Sequence, residues 1–200
     1  MRLGLLYSGG KDSTLAALLL SEFYDVTLTT AHFGVTDDWR HARETAEAVD
    51  FPFERLQLDP GVAEEAVARI REDGFPRNGI QLVHQHALER LAAEEFDAIA
   101  DGTRRDDRVP TVSRAQAQSL EDRYDVDYIA PLSGFGRGAV DRLVESTLEV
   151  TAGPSEAITR ADYEAELRAI IAEEDGPEAI AECFPDHEQT HVTGVRRALE

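Results

Sequence analysis

Hydrophobic residues recur along this chain in two alternating rhythms. Residues 3–7 form a short apolar run within a first strand predicted at residues 2–7, and Leu15, Leu18, Leu19 and Phe23 follow at helical spacing in a pattern that begins at Thr14. The alternation then repeats. Strands are predicted at residues 26–33, 53–58, 98–101 and 128–132, and helices at about 38–49, 62–70, 80–94 and 113–124, the last opened by Ser113. Residues 74–79 carry Pro76, Asn78 and Gly79 and read as a loop. Repeated strand and helix alternation predicts an α/β fold, a parallel five-stranded sheet with helices on both faces.

Beyond Ser133 the rhythm changes. Gly134, Gly136 and Gly138 predict a flexible turn, and residues 139–150 and 160–174 read as helices, the second capped by Thr159 with Asp162 in its first turn. The expected organisation is a ligand-binding α/β domain over residues 1–150 and a C-terminal helical extension over residues 151–200, packed on the sheet. Neither an internal repeat nor a low-complexity linker interrupts the chain.

Two hundred residues suffice for one domain with a modest extension and a sizeable core. No stretch approaches the roughly 20 apolar residues that span a bilayer, and the amino-terminal segment reads as a core strand, so a cytoplasmic protein is expected. Forty acidic residues against 20 basic ones leave a formal charge of −20. Acid spread over the whole of a lysine-poor chain suggests a salt-adapted, haloarchaeal-like cytoplasm. It argues against a broad nucleic-acid footprint, though it would also mask a local basic groove. Cys183, the one cysteine, excludes intrachain disulfides and multi-cysteine zinc sites.

The sole lysine, Lys11, lies in the run Ser8, Gly9, Gly10, Lys11, Asp12, Ser13, between the first predicted strand and the first predicted helix. Two adjacent glycines let backbone N–H groups converge, and the following helix adds the positive end of its dipole, so the turn is suited to phosphate. Lys11 supplies a mobile point charge, and Ser8 and Ser13 offer hydroxyls. Asp12, a carboxylate beside an anion site, suggests Mg²⁺. The Walker pattern fails by register, because Gly10 intervenes before Lys11 and Asp12 stands where Ser or Thr belongs.

These six residues, after a hydrophobic strand near an amino terminus, resemble the PP-loop of the N-type ATP pyrophosphatases. That group lies within the adenine nucleotide alpha hydrolase superfamily. The resemblance implies a Rossmann-like fold that binds ATP and Mg²⁺, with Ser8, Gly9, Gly10, Lys11, Asp12 and Ser13 around the phosphates and the end of the second strand, Ala31, His32 and Phe33, gripping adenine through backbone groups. The alternative for Ala31 to Phe33 is a buried strand end with His32 as a satisfied core histidine. After the fourth strand, Gly102 and Thr103 are similar to the glycine-threonine turn that these enzymes place over the nucleotide. Arg104, Arg105 and Arg108 can hold phosphate or carboxylate oxygens, and Asp106 or Asp107 can hold Mg²⁺, with Asp106 paired to Asp12 as the expected metal ligands. Two arginines depart from the small polar residues common there, and a self-neutralising loop of ion pairs is the alternative. Arg137, in a glycine-rich stretch after the fifth strand, is placed at the α-phosphate, where a plain glycine-rich loop is the competing account.

Two histidine sets carry less. His84 and His86 flank Gln85 on a predicted helix and point to different faces, which makes a poor metal pair. His187 and His191 are four apart, but no third ligand accompanies them, and polar tail structure is the preferred account of residues 185–194.

The reaction that the resemblance implies is adenylation of an acceptor oxygen, with release of pyrophosphate and then AMP, in tRNA modification or small-molecule amide formation. Lys11, Asp12, Arg104 and Arg137 are the expected catalytic residues. One cysteine excludes a two-cysteine sulfur relay and the chain has no room for a glutaminase domain, so ammonia or sulfur would come from solution or a separate donor protein. A homo-oligomer is expected. A non-catalytic adenine-nucleotide-binding or sensor module is the alternative function.

Overall fold

A computed structural model of the chain describes residues 1–154, 161–185 and 188–196. Five parallel strands build the sheet: β1 (Arg2–Leu6), β2 (Asp25–His32), β3 (Phe53–Gln57), β4 (Ala98–Ala100) and β5 (Asp127–Ile129), in the order β3-β2-β1-β4-β5. β1 is central and buried on both faces, which is why it reads as an unbroken apolar run. Its Gly4 makes room for the Phe96 ring, which a Cβ at that position would meet at 2.7 Å.

Helices cover both faces, as the alternation predicts. On one side α1 (Lys11–Leu20), α2 (Trp39–Ala48) and α6 (Arg137–Thr147) bury Leu15, Ala42, Ala46, Val140 and Val144 against Leu3, Leu5 and Leu28. On the other, α3 (Pro60–Asp73), α4 (Arg77–Ala92) and α7 (Tyr163–Asp175) bury Ile70, Val83, Leu88, Leu91, Leu167 and Ile171. α5 (Arg114–Tyr124) opens on Ser113, whose side chain accepts from the Gln116 amide while Gln116 reaches back to the Ser113 N–H.

Several local expectations are corrected. α1 begins at Lys11 rather than Thr14, so Lys11, Asp12 and Ser13 are its first turn. Phe23 is 77 % exposed because α1 ends at Leu20, and a turn carries Phe23 off the helical face. The expected loop at residues 74–79 ends at Pro76, and Gly79 lies inside α4. A Cβ on Gly79 would come within 2.7 Å of the Ala66 carbonyl oxygen, so this glycine serves the close crossing of α3 and α4. β5 stops at Ile129, and a 3-10 turn (Pro131–Gly134) follows because Pro131 has no N–H for the ladder.

The extension is more than helical. α6 ends at Thr147, and β6 (Leu148–Pro154) pairs antiparallel with β7 (Glu188–Val195), the β-branched residues of both segments serving strands. A division at residue 150 therefore falls inside β6. Between these strands run α7 and the short α8 (Glu178–Cys183). The cap of α7 is Asp162, whose side chain accepts from the Ala165 N–H; Thr159 and His187 lie outside the described residues. No helix among the described residues is long and apolar enough to cross a membrane.

Candidate functional site

Successive strands add outward from β1 to β3, and the chain then crosses to the far side of β1 for β4 and β5. The switch in strand order lies between β1 and β4, and ligands of open parallel sheets bind outside the carboxyl ends of strands at such a crevice. Residues 8–13 leave β1 and residues 101–108 leave β4, so the two most informative stretches of the sequence meet there.

Gly9 has φ +79°, a left-handed conformation open to glycine, and Gly10 is the extended residue ahead of α1. The Thr14 N–H closes the first helical bond to the Gly10 carbonyl at 3.1 Å. The amides of Lys11, Asp12 and Ser13 therefore form the positive end of α1, with Lys11 and Asp12 partly exposed and Ser13 buried. The Ser13 hydroxyl donates to the Gly10 carbonyl at 3.2 Å, so it stabilises the turn instead of offering a free donor to phosphate. β7 passes alongside, with the Lys11 N–H directed at Thr190 Oγ1 (3.4 Å) and the Val192 N–H donating to the Gly9 carbonyl (3.1 Å).

The charges at this turn are arranged in pairs. Lys11 Nζ lies 2.6 Å from Asp12 Oδ1, and Arg104 Nη1 lies 3.7 Å from Asp12 Oδ2. Arg104 also binds Asp107 through Nε (3.1 Å) and Nη2 (2.8 Å). Burial works against the Arg104 charge, but Asp107, Asp12 and Asp106 outweigh it and hold the guanidinium more firmly protonated than usual. Arg137 is 70 % exposed and only loosely paired, 3.9 Å from Asp106, while Arg105 lies against Gly136 and Arg108 is exposed. Of these four arginines, Arg104 is the one that an ion pair joins to Asp12. Asp106 is directed to Arg137, and the described residues hold no group of three His, Cys, Asp or Glu side chains poised for a metal. Asp12 remains the one expected metal ligand that stands beside Lys11.

Gly102 and Thr103 have other duties than the ones expected. A Cβ on Gly102 would meet the Ser13 amide nitrogen at 2.8 Å, so the close approach is to the backbone of α1. The Thr103 N–H and hydroxyl both donate to Asp101 Oδ1, at 2.9 and 2.6 Å. Asp101 Oδ2 takes the Tyr128 hydroxyl at 3.0 Å and His84 Nε2 at 2.9 Å, and His84 Nδ1 meets the Tyr163 hydroxyl at 2.6 Å. Burial would raise the Asp101 carboxyl, yet the bonds from His84 and Thr103 prevail and hold it below the ordinary carboxylate range. Burial pushes the Tyr128 and Tyr163 hydroxyls up. This network locks the end of β4 to α4 and α7. His86 points elsewhere, accepting from the Asp59 N–H at 3.4 Å.

At the end of β2 the expected adenine grip is already engaged. Ala31 and Phe33 are buried. The Phe33 N–H donates to Glu166 Oε2 at 2.6 Å, the Gly34, Val35 and Thr36 N–H groups approach Glu166 Oε1 at 2.9, 2.8 and 3.4 Å, and the Phe33 carbonyl accepts from Gln57 at 2.7 Å. A carboxylate from α7 thus fills a nest of backbone amides. Burial lowers the His32 pKa, Glu166 raises it and Arg55 lowers it, with a net fall, and His32 Nδ1 is buried without a hydrogen-bond partner.

Glu166, Tyr163 and Thr190 were missed by sequence reasoning. Glu166 carried a signal: it stands on the same helical stripe as Tyr163, Leu167 and Ile170, where an acid is out of place. A concavity of about 60 Å³ between α4 and α5, lined by Gln81, Gln85, Glu89, Gln116 and Arg123, lies away from the glycine turn, and its Arg123 is paired with Glu89.

Comparison with known proteins follows the same fold. Residues 1–194 match the model of a family described as a family of unknown function, DUF7411. The uncharacterized protein MJ0690 of Methanocaldococcus jannaschii is 40 % identical over 201 residues, covering 100 % of this chain and 98 % of that protein. A crystal structure described as a predicted subunit of tRNA methyltransferase from Methanocaldococcus jannaschii superposes with a TM-score of 0.89 at 40 % identity, covering 100 % of each chain.

Proposed function

This chain belongs to the DUF7411 family, and from that premise we propose that it is an ATP-binding, AMP-forming subunit acting in tRNA modification. The observation that carries the proposal is the meeting of the Gly9–Gly10 turn, the amino terminus of α1, Lys11 and Arg104 at the switch between β1 and β4. The PP-loop resemblance of residues 8–13 supports the bond that is cut. In this reading an acceptor oxygen attacks the α-phosphorus of ATP, the bond between that phosphorus and the bridging oxygen breaks, and pyrophosphate leaves. A nucleophile then displaces AMP from the adenylated acceptor.

Each residue has a stated part. The α1 amides and Lys11 bind the leaving pyrophosphate, Lys11 exchanging its contact with Asp12 for phosphate oxygens. Arg104, half-enclosed and firmly charged, stabilises negative charge that develops between the departing and remaining phosphates. Arg137, exposed at the first turn of α6, binds on the acceptor side. Mg²⁺, when bound, offsets phosphate charge, and Asp12 is the side chain that would hold it, since one carboxylate with phosphate oxygens and water is a common set for this ion. The description of the similar structure as a predicted tRNA methyltransferase subunit supports an RNA acceptor and a partner protein.

A second reading, an adenine-nucleotide sensor without turnover, is favoured by Glu166, which sits where the adenine-gripping amides are expected. One experiment separates the two. The protein is incubated with ATP, Mg²⁺ and high salt, with and without unmodified tRNA, and AMP, ADP, pyrophosphate and phosphate are assayed separately. AMP with pyrophosphate is the expected result. Tight ATP binding with no product supports the sensor, and ADP with phosphate as sole products overturns both.

A further inference from the structure

The chain's one tryptophan, Trp39, opens α2 directly after the β2 loop and gathers three guanidinium groups. Arg55 Cζ lies 4.2 Å from the indole centroid, Arg40 Cζ 5.1 Å and Arg43 Cζ 5.4 Å. Three like charges around one ring repel each other, and the indole quadrupole offsets part of that repulsion. The carboxylates present do little more. Asp37 at 3.0 Å from Arg40 and Glu47 at 3.6 Å from Arg43 are both at least 70 % exposed, and such pairs are weak and screened by salt. Arg55 makes no ion pair among the described residues. In a chain with a net charge of −20, three guanidinium groups are gathered on one ring.

Its location gives that charge a purpose. Arg55 is on β3 opposite Thr30 of β2, and Trp39 lines a small recess with His32, Thr36, Asp38, Asp162 and Glu166 at the carboxyl end of β2, the three arginines lying around the indole beside it. The patch therefore stands on the sheet edge where the phosphate cradle opens, displaced toward β3. Val35, 43 % exposed, adds an apolar surface in the same loop. Guanidinium planes bind phosphate oxygens in pairs and also stack on unpaired bases, and an indole ring is a stacking partner for bases. An acidic peptide would use only the charges.

We infer that Trp39, Arg40, Arg43 and Arg55 form the docking patch through which an RNA acceptor reaches the site, a statement that rests on the tRNA part of the function proposed above. The occupant is RNA with at least one unpaired segment, held by phosphate contacts to the three arginines and by stacking on their planes or on Trp39.

Because Trp39 is the sole indole, its emission reports the patch directly. Fluorescein-labelled unmodified tRNA is titrated against the full chain over a series of salt concentrations at which circular dichroism shows an intact fold, with anisotropy and indole emission both read. Saturable binding and a change in indole emission are expected. Arg40→Gln/Arg43→Gln/Arg55→Gln should weaken binding at least about tenfold and lower the salt slope by about 2–3, and Arg55→Gln alone by about 1. Arg69→Gln on α3 should change neither. Wild-type affinity and slope in the triple variant, indole emission indifferent to saturating tRNA, or no saturable binding would each overturn the patch. Polyglutamate competing as well as tRNA would remove RNA as the occupant. ATP binding is measured on the same samples, so the two proposals can fail separately: a chain that docks tRNA through these arginines yet forms no AMP keeps the patch and loses the reaction.

Discussion

Asp12 and Asp101 follow adjacent strands at the same crevice, and the fold treats them in opposite ways. Asp101 is 2 % exposed and accepts from Thr103, Tyr128 and His84, so its charge is fully occupied in holding the end of β4. The Asp12 side chain is 29 % exposed and faces two cations, Lys11 and Arg104, the second also held by Asp107. Donors fixed by the backbone and by rings make an anchor, because removing any one leaves a buried charge short of partners. Ion pairs at the edge of solvent are a weaker constraint, because water and counter-ions can stand in for either partner. The crevice thus places a fully bonded wall beside a partly exposed, ion-paired one.

The comparison can be broken by substitution. Asp12→Asn should lower AMP formation by at least about 10³-fold, roughly 4 kcal/mol of activation free energy, while the melting temperature stays near wild type. A variant with full Mg²⁺-dependent turnover would remove Asp12 from the chemistry.

Asp101→Asn should do the reverse, costing about 3 kcal/mol of stability by denaturant titration. The pH dependence sharpens this. The Asp101 carboxyl is held below its usual range in the folded chain, so its stabilisation is complete above an unfolded value of about 3.9 and fades as pH falls through the lower folded value. The stability gap between wild type and Asp101→Asn should therefore be flat above about pH 5 and narrow below about pH 4. A gap that widens on acidification would refute the anchor.

Arg104→Ala and Arg137→Ala test the ion-paired wall at two depths. The enclosed Arg104 should matter more, with turnover falling about 10²-fold, as for loss of one preorganised donor. Loss of Arg137, exposed and loosely paired, should cost less turnover than that and no more than about 0.5 kcal/mol of stability. Equal rates in the two variants would erase the difference in depth. Cys183→Ser is the smallest change: the thiol packs at the margin of the core, and stability should move by about 0.5 kcal/mol or less with activity intact.

Legibility in the sequence followed the range of the interaction. The five strands, their helices and the Ser113 cap were readable because hydrophobic period and capping chemistry act within a few residues. Gly9 was readable as a turn residue, and its φ of +79° is that turn. Gly79 was misread as a loop residue because its reason lies in another helix, where Ile70 and Ala66 leave no room for a Cβ. Ser13 and Thr103 were recognised as polar residues near a ligand, but their partners, the Gly10 carbonyl and Asp101, are set by how the crevice closes.

The amino-acid sequence by itself determined the α/β alternation, the glycine turn with its single lysine, and the acidic surface. All of these depend on residue type and near neighbours. Tertiary structure alone decided who satisfies whom: Glu166 reaches Phe33 across 133 positions, and Thr190 reaches Lys11 across 179. A buried amide or carboxylate must find a partner, but which one it finds depends on where packing of the two apolar faces brings distant segments of the chain. The C-terminal segment shows this most plainly, since its own pattern predicts helices and a polar tail, while its contacts with the end of β2 and with the glycine turn make it part of the candidate site.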